Sequence, residues 1–106
     1  MMNSISGKWE QPAGQPFPGL WFEFHADGTF HAEFTEMGIV SGGTYTTAGT
    51  HINMDQTAHT LGMVGKFAGL YTIEGDTLRL ALGGPGEPRP TDLSDARLYR
   101  RVAAAE

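Results

Sequence analysis

Four histidines, 12 carboxylates and no cysteine delimit the chemistry open to this chain. Glu23, His25, His31 and Glu33 alternate with apolar residues, and a His/Glu cluster of that kind is what a zinc site or a general acid–base pair requires. The same residues also read as the polar face of a half-solvated hairpin, where a cross-strand His and Glu contribute a few tenths to about 1 kcal/mol. The second reading is the simpler: neither H-x-H nor H-E-x-x-H occurs, and no spacing fixes a third ligand. No metal or other cofactor is expected. His51, Asn53 and Asp55 share one face of another strand; turned inward they would line a polar cavity, turned outward they would be solvated. His59, among Gln56, Thr57 and Thr60, is placed to gate a barrel mouth. No G-x-S-x-G elbow is present, and the Gly42-Gly43 and Gly83-Gly84 pairs are turn or bulge signals, since neither opens a helix that could cradle phosphate. The leading reading is a non-enzymatic binding or interaction module, and the alternatives are a metal-dependent or acid–base enzyme on the His/Glu face, or a purely structural homodimer.

The elements that must position these residues follow from composition and periodicity. The chain has 106 residues, enough for one domain with one core over 1–106. Without cysteine it has no disulfide, Cys-ligated metal or thiol nucleophile. A net charge of -5 and the lack of a basic stripe argue against nucleic-acid binding, and the short apolar runs exclude a membrane-spanning helix. No basic region followed by an apolar stretch opens the sequence, so a cytoplasmic location is expected.

Glycine, proline and threonine punctuate the chain at strand-length intervals, and no window carries a helical period. In residues 20–35 Leu20, Phe22, Phe24, Phe30, Ala32 and Phe34 alternate with polar partners, which predicts two strands. The loop Ala26-Asp27-Gly28 suits a type I turn with a G1 bulge. It sets Phe24 opposite Phe30, Phe22 opposite Ala32, Glu23 opposite His31 and Trp21 opposite Glu33. A two-residue turn at Ala48-Gly49 would place Tyr45 opposite Ile52 and Thr46 opposite His51. A type II′ turn at Gly75-Asp76 places Ile73 opposite Leu78 and Tyr71 opposite Leu80. With a first strand over 5–10 and a last over 96–102, the expectation is an all-β, up-and-down antiparallel meander of about eight strands closing into a small barrel. Residues 11–19, 57–66 and 83–95 are expected as loops, where function usually sits.

Those residues carry a resemblance. Gly7-Lys8-Trp9, Phe22-x-Phe24-x-x-Asp27-Gly28-Thr29-Phe30, Gly43-Thr44-Tyr45, Tyr71-x-Ile73-x-Gly75-Asp76-Thr77-Leu78 and Tyr99-Arg100-Arg101 together resemble small bacterial lipocalin-like domains of the calycin type. More narrowly, Gly75-Asp76-Thr77-Leu78-Arg79-Leu80 followed by Gly86-Glu87-Pro88-Arg89-Pro90-Thr91 is similar to an uncharacterised bacterial domain family abundant in planctomycetes. That family has no assigned activity, and its members often carry an export signal, which leaves an exported parent protein open. The resemblance implies a lipocalin-like barrel in which Trp9 packs against a basic side chain of the last strand. Alternation with Leu98 favours Arg100 for that role, while Arg101 lies nearer the place where the related domains end in an Arg.

Within such a barrel, Trp21, Tyr45, His51, Asn53, Tyr71 and Arg89 are the candidate residues for binding a small molecule in or at the mouth. Arg89 has a second reading, to hydrogen-bond carbonyls and pin the Pro-rich loop. Trp21, on the face opposite the phenylalanines and near Met37 and Ile39 in sequence, would line the cavity or form a second apolar surface for a homodimer.

Overall fold

In a computed structural model that describes residues 5–102, eight antiparallel strands follow one another around a closed barrel. They are β1 (Gly7–Glu10), β2 (Trp21–Phe24), β3 (Thr29–Phe34), β4 (Ile39–Ala48), β5 (His51–His59), β6 (Gly65–Glu74), β7 (Thr77–Leu82) and β8 (Arg97–Val102), with one 3₁₀ turn at Thr35–Met37. The remaining parts of the expected 1–106 domain lie outside the described residues. Closure pairs β1 with β8 as well as with β2, so no strand edge is left open. Among the described residues no helix is long and apolar enough to cross a membrane.

Alternation places the inward set in one core. Trp9, Phe24, Phe30, Ile52, Leu78, Leu80 and Tyr99 are buried, and Phe22, Phe24 and Phe30 pack ring against ring. The β2–β3 register is as expected, with Phe24 opposite Phe30 and Glu23 opposite His31. His25 N–H donates to the Thr29 carbonyl at 2.8 Å and closes the three-residue loop. Tyr71 opposite Leu80 and Ile73 opposite Leu78 hold as well.

The β4–β5 register differs from expectation by two residues: Tyr45 faces Met54 and Thr46 faces Asn53. The turn is Gly49-Thr50, because a two-residue II′ turn needs positive φ at its first central residue, and Gly49 supplies it at 62° as Gly75 does at 59° in the next hairpin. Two further boundaries move. β4 begins at Ile39, and the presumed loop over 57–66 shrinks to 60–64 because β5 runs to His59 and β6 starts at Gly65.

β4 and β5 do not pair regularly throughout. Gly43 faces Gln56 but Gly42 faces Ala58, so Thr57 is an extra residue on β5. This bulge reverses the inward parity of the strand end. Ile52, Met54 and Gln56 point in; beyond the bulge Ala58 is exposed and His59 faces Ser41 across the ladder.

Connections alternate between the two ends of an up-and-down barrel. The tight turns, 25–28, 49–50 and 75–76, all fall at one end, and the longer segments, 11–20, 35–38, 60–64 and 83–96, at the other. At the tight end the Arg101 guanidinium lies 4.1 Å from the Trp9 ring centroid and donates to the Ser6 carbonyl at 3.0 Å. The expectation of Arg100 is thereby corrected: Arg100 is exposed, whereas Arg101 shares the inward parity of buried Tyr99 and stands opposite Trp9. Gly7 leaves the space, since a Cβ there would sit 2.6 Å from the Arg101 Nη1.

At the other end Gln11 is buried, donates from Nε2 to the Tyr99 phenol at 3.0 Å and accepts the Phe17 N–H through Oε1. Burial pushes the Tyr99 pKa up to about 12, against the opposing effects of Gln11 and Arg97. The unfolded phenol ionises near pH ~10. The stabilisation tied to this group is therefore complete below that pH and is lost as pH rises through about 12. Replacing Tyr99 with Phe is expected to flatten the fall in stability across that window in denaturant titrations. Equal slopes for the two proteins would contradict the assignment.

Candidate functional site

The long-loop end of the barrel is hollow. A cup of about 320 Å³ opens there, with Phe22, Ala32, Met54 and Phe67 from the strands among its walls. Phe34 and Leu82 stand at the ends of β3 and β7, and the loop residues Phe17, Leu20 and Met63 complete the apolar lining. Strands β2 to β7 supply this wall with inward residues toward the long-loop end, and Phe22 belongs both to the wall and to the ring cluster of the core. Phe17 and Phe34 meet edge-on at 5.9 Å, joining the 11–20 segment to the barrel. Gln56 donates from Nε2 to the Met63 carbonyl at 2.5 Å and ties down the 60–64 loop.

The polar part of the lining lies mainly on one side. Ser41 and Gln56 are buried, and His59, the cross-strand partner of Ser41, joins them. The Leu61 N–H donates to His59 Nδ1 at 3.0 Å. No Lys or Arg lines the cup, and Glu33, the one acidic residue of its wall, gives its carboxylate to His31 on the outer face.

Around the cup the surface is unusually apolar. Phe17, Met37, Val40, Leu61, Met63 and Val64 are the exposed large hydrophobic residues among those described, and every one belongs to the long-loop end. Singly such residues are ordinary; collected at one end of the barrel, with Phe17 and Met63 on the cup itself, they fit a binding surface.

The six residues expected to bind a ligand are not brought together, and none lines the cup. Trp21 lies half-buried on the outer face under the Lys8 ammonium, 4.0 Å from its ring centroid, with the His31 ring at 5.5 Å. Its supposed neighbour Ile39 turns into the cup instead, so a Trp21–Met37–Ile39 surface for a dimer is not formed. His51 is exposed on the outer face of β5 beside Asn53, since Ile52 and Met54 take the inward positions. Tyr71 packs against the core. Tyr45 closes over Phe24 at 5.0 Å and donates its hydroxyl to the His25 carbonyl at 2.8 Å.

Arg89 takes its second reading. Nη1 donates to the Ile52 and Gly69 carbonyls at 3.0 and 2.7 Å, and Nη2 to Asn53 Oδ1 at 2.7 Å, which pins the 83–96 loop across β5 and β6. Beside it lies a shallow outer groove of about 450 Å³ where Tyr45 and Asn53 do meet, with Asp55, Lys66 and Glu87. Though larger, this groove has a mixed polar and apolar lining, and the cup has the predominantly apolar walls typical of small-molecule sites.

On the His/Glu face the register brings Glu23 and His31 opposite each other, but their side chains part. His31 Nε2 meets Glu33 Oε2 at 2.8 Å along its own strand, and His25 stands 3.9 Å from Glu23. Both pairs are substantially exposed and contribute little to stability. Among the described residues no three His, Asp or Glu side chains gather to hold a metal ion.

The cup was missed because most of its walls read as core: Phe22, Ala32 and Phe34 belong to the predicted phenylalanine hairpin, and only Phe17, His59 and Met63 lie in segments expected as loops. The signal was present in the sequence as an apolar set, Leu61, Met63, Val64 and Phe67, inside a stretch otherwise marked as loop by Gly and Thr. Compared with models of known protein families, with curated proteins and with solved structures, the chain matches none.

Proposed function

We propose that this protein is a non-enzymatic binding module that takes a small, largely apolar molecule into the cup at the long-loop end of its barrel. The observation that carries the reading is the coincidence of an apolar cavity of about 320 Å³ with the exposed hydrophobic side chains at the same end of the barrel, of which Phe17 and Met63 line it. An apolar cavity of ~150 Å³ holds benzene, so this cup would take roughly ten to twelve non-hydrogen atoms. At about 0.5 kcal/mol per atom, between the limits for tiny and drug-sized ligands, the dissociation constant would be on the order of 0.1 mM. The lipocalin-like affinity is supported by the barrel order and by the Gly7, Trp9 and Arg101 arrangement.

Titration with propylbenzene, followed by amide chemical shifts, tests the reading. Saturable shifts confined to the cup are expected, and Ala32→Phe, which places a ring where buried Ala32 now faces Phe22, is expected to weaken binding by about tenfold or more while keeping a β-sheet spectrum. Undiminished binding in a folded Ala32→Phe variant would refute the cup as the site.

A second reading, association of two copies through the apolar rim, is favoured by the same exposed residues at the mouth. A monomer by light scattering, unchanged by Leu61→Asp, would remove it.

A further inference from the structure

Resting on the cup as the binding site, we propose that its ligand is uncharged and carries one head group that both donates and accepts a hydrogen bond, a hydroxyl or a primary carboxamide, seated against Ser41, Gln56 and His59. Three observations lead there. First, the donor–acceptor pattern of this wall is set by its neighbours. The Leu61 N–H donates to His59 Nδ1, so that nitrogen is an acceptor already in use and the ring proton is on Nε2, leaving a donor as the remaining polar atom. Gln56 commits one Nε2 hydrogen to the Met63 carbonyl, leaving Oε1 as an acceptor and the second amide hydrogen as a donor.

Second, these groups are still open to a partner. Neither the Ser41 hydroxyl nor Gln56 Oε1 is paired among the described residues, yet no unpaired side-chain polar atom there is sealed from solvent. Both residues are nearly buried and line the cup, so the cup is the space to which these atoms open. A head group filling it meets the His59 donor, a Gln56 amide that both donates and accepts, and a hydroxyl that can serve as either; an apolar group alone would leave them without partners.

Third, charge is excluded in the negative sense. No Lys or Arg lines the cup, and the chain as a whole carries a net charge of -5. A carboxylate ligand would lose its hydration, meet Gln56 Oε1 with a lone pair against a lone pair, and find no cation. An ammonium group would confront the His59 donor with another donor. A neutral hydroxyl or carboxamide meets neither conflict.

The test compares ligands of one chain length and different heads by calorimetric titration and amide shifts: 1-octanol, octanamide, octanoate and octylammonium, with propylbenzene as the headless control. The alcohol and amide are expected to bind about fivefold or more tighter than either ion. Ser41→Ala and His59→Phe are each expected to weaken the alcohol and amide about threefold to tenfold, the size of one neutral hydrogen bond, while leaving propylbenzene within about twofold. Octanoate or octylammonium binding as tightly as the alcohol, or variants that weaken propylbenzene as much as octanol, would overturn the head-group assignment and leave the cup reading standing. Failure of propylbenzene and all four octyl compounds to bind would overturn both.

Discussion

Trp9→Ala is expected to destabilise the domain by about 3–5 kcal/mol, the range for truncating a fully buried aromatic. Trp9 is completely buried, and its indole N–H donates to the Ile5 carbonyl at 2.8 Å. Removal therefore leaves a cavity and an unpaired carbonyl together. It also takes away the surface on which the Arg101 guanidinium rests, a contact worth roughly 0.5–2 kcal/mol according to its desolvation. Domains of this kind are stable by only about 5–15 kcal/mol in total. The variant should unfold at a much lower denaturant concentration, read by near-ultraviolet circular dichroism. An unchanged midpoint would show that the Trp9–Arg101 contact does not hold the tight-turn end together.

The second large effect is expected at Gly43, and it joins the fold to the site. A Cβ at Gly43 would fall 1.9 Å from the Asp55 carbonyl oxygen, which is backbone and cannot swing aside. Gly43→Ala must then push β4 and β5 apart where the bulge forms, at a cost of about 3 kcal/mol, the upper end of ordinary overpacking. The consequence reaches beyond stability. The extra residue Thr57 gives His59 its inward parity and sets it opposite Ser41. A variant that folds with a relaxed bulge should show displaced His59 and Leu61 amide signals and weaker octanol binding. Wild-type stability together with wild-type His59 shifts would mean that the close approach at Gly43 is not required.

Why the core was legible and the site was not comes down to how each is encoded. The phenylalanine hairpin specifies its own register: Gly28, at a φ of 93°, accepts the left-handed position and closes a loop of fixed length, so each later pairing follows. The β4–β5 hairpin carried a weaker constraint. Shifting it by two residues keeps every side chain on its face, and Tyr45 meets an apolar partner in Ile52 or in Met54 alike. Only the need for glycine at the first turn position distinguishes the two. Arg101 escaped because alternation was counted from Leu98, whereas the buried residue of β8 is Tyr99. The cup depends on where the 11–20 and 60–64 segments return over one barrel end and on one bulge, and neither leaves a period in the sequence. Polar residues drew attention as candidate ligands, but alternation placed Asn53, His51 and Trp21 outside, and the walls of the cup are built from residues that read as core.

A crystal structure determined under xenon pressure tests the apolar character of the cup, since xenon enters apolar cavities without any need for a head group. A xenon site is expected inside the cup, in contact with Phe22, Met54 and Phe67. A cup filled instead by ordered waters bonded to Ser41, Gln56 and His59, with no xenon within it, would contradict the claim that this barrel holds an apolar ligand.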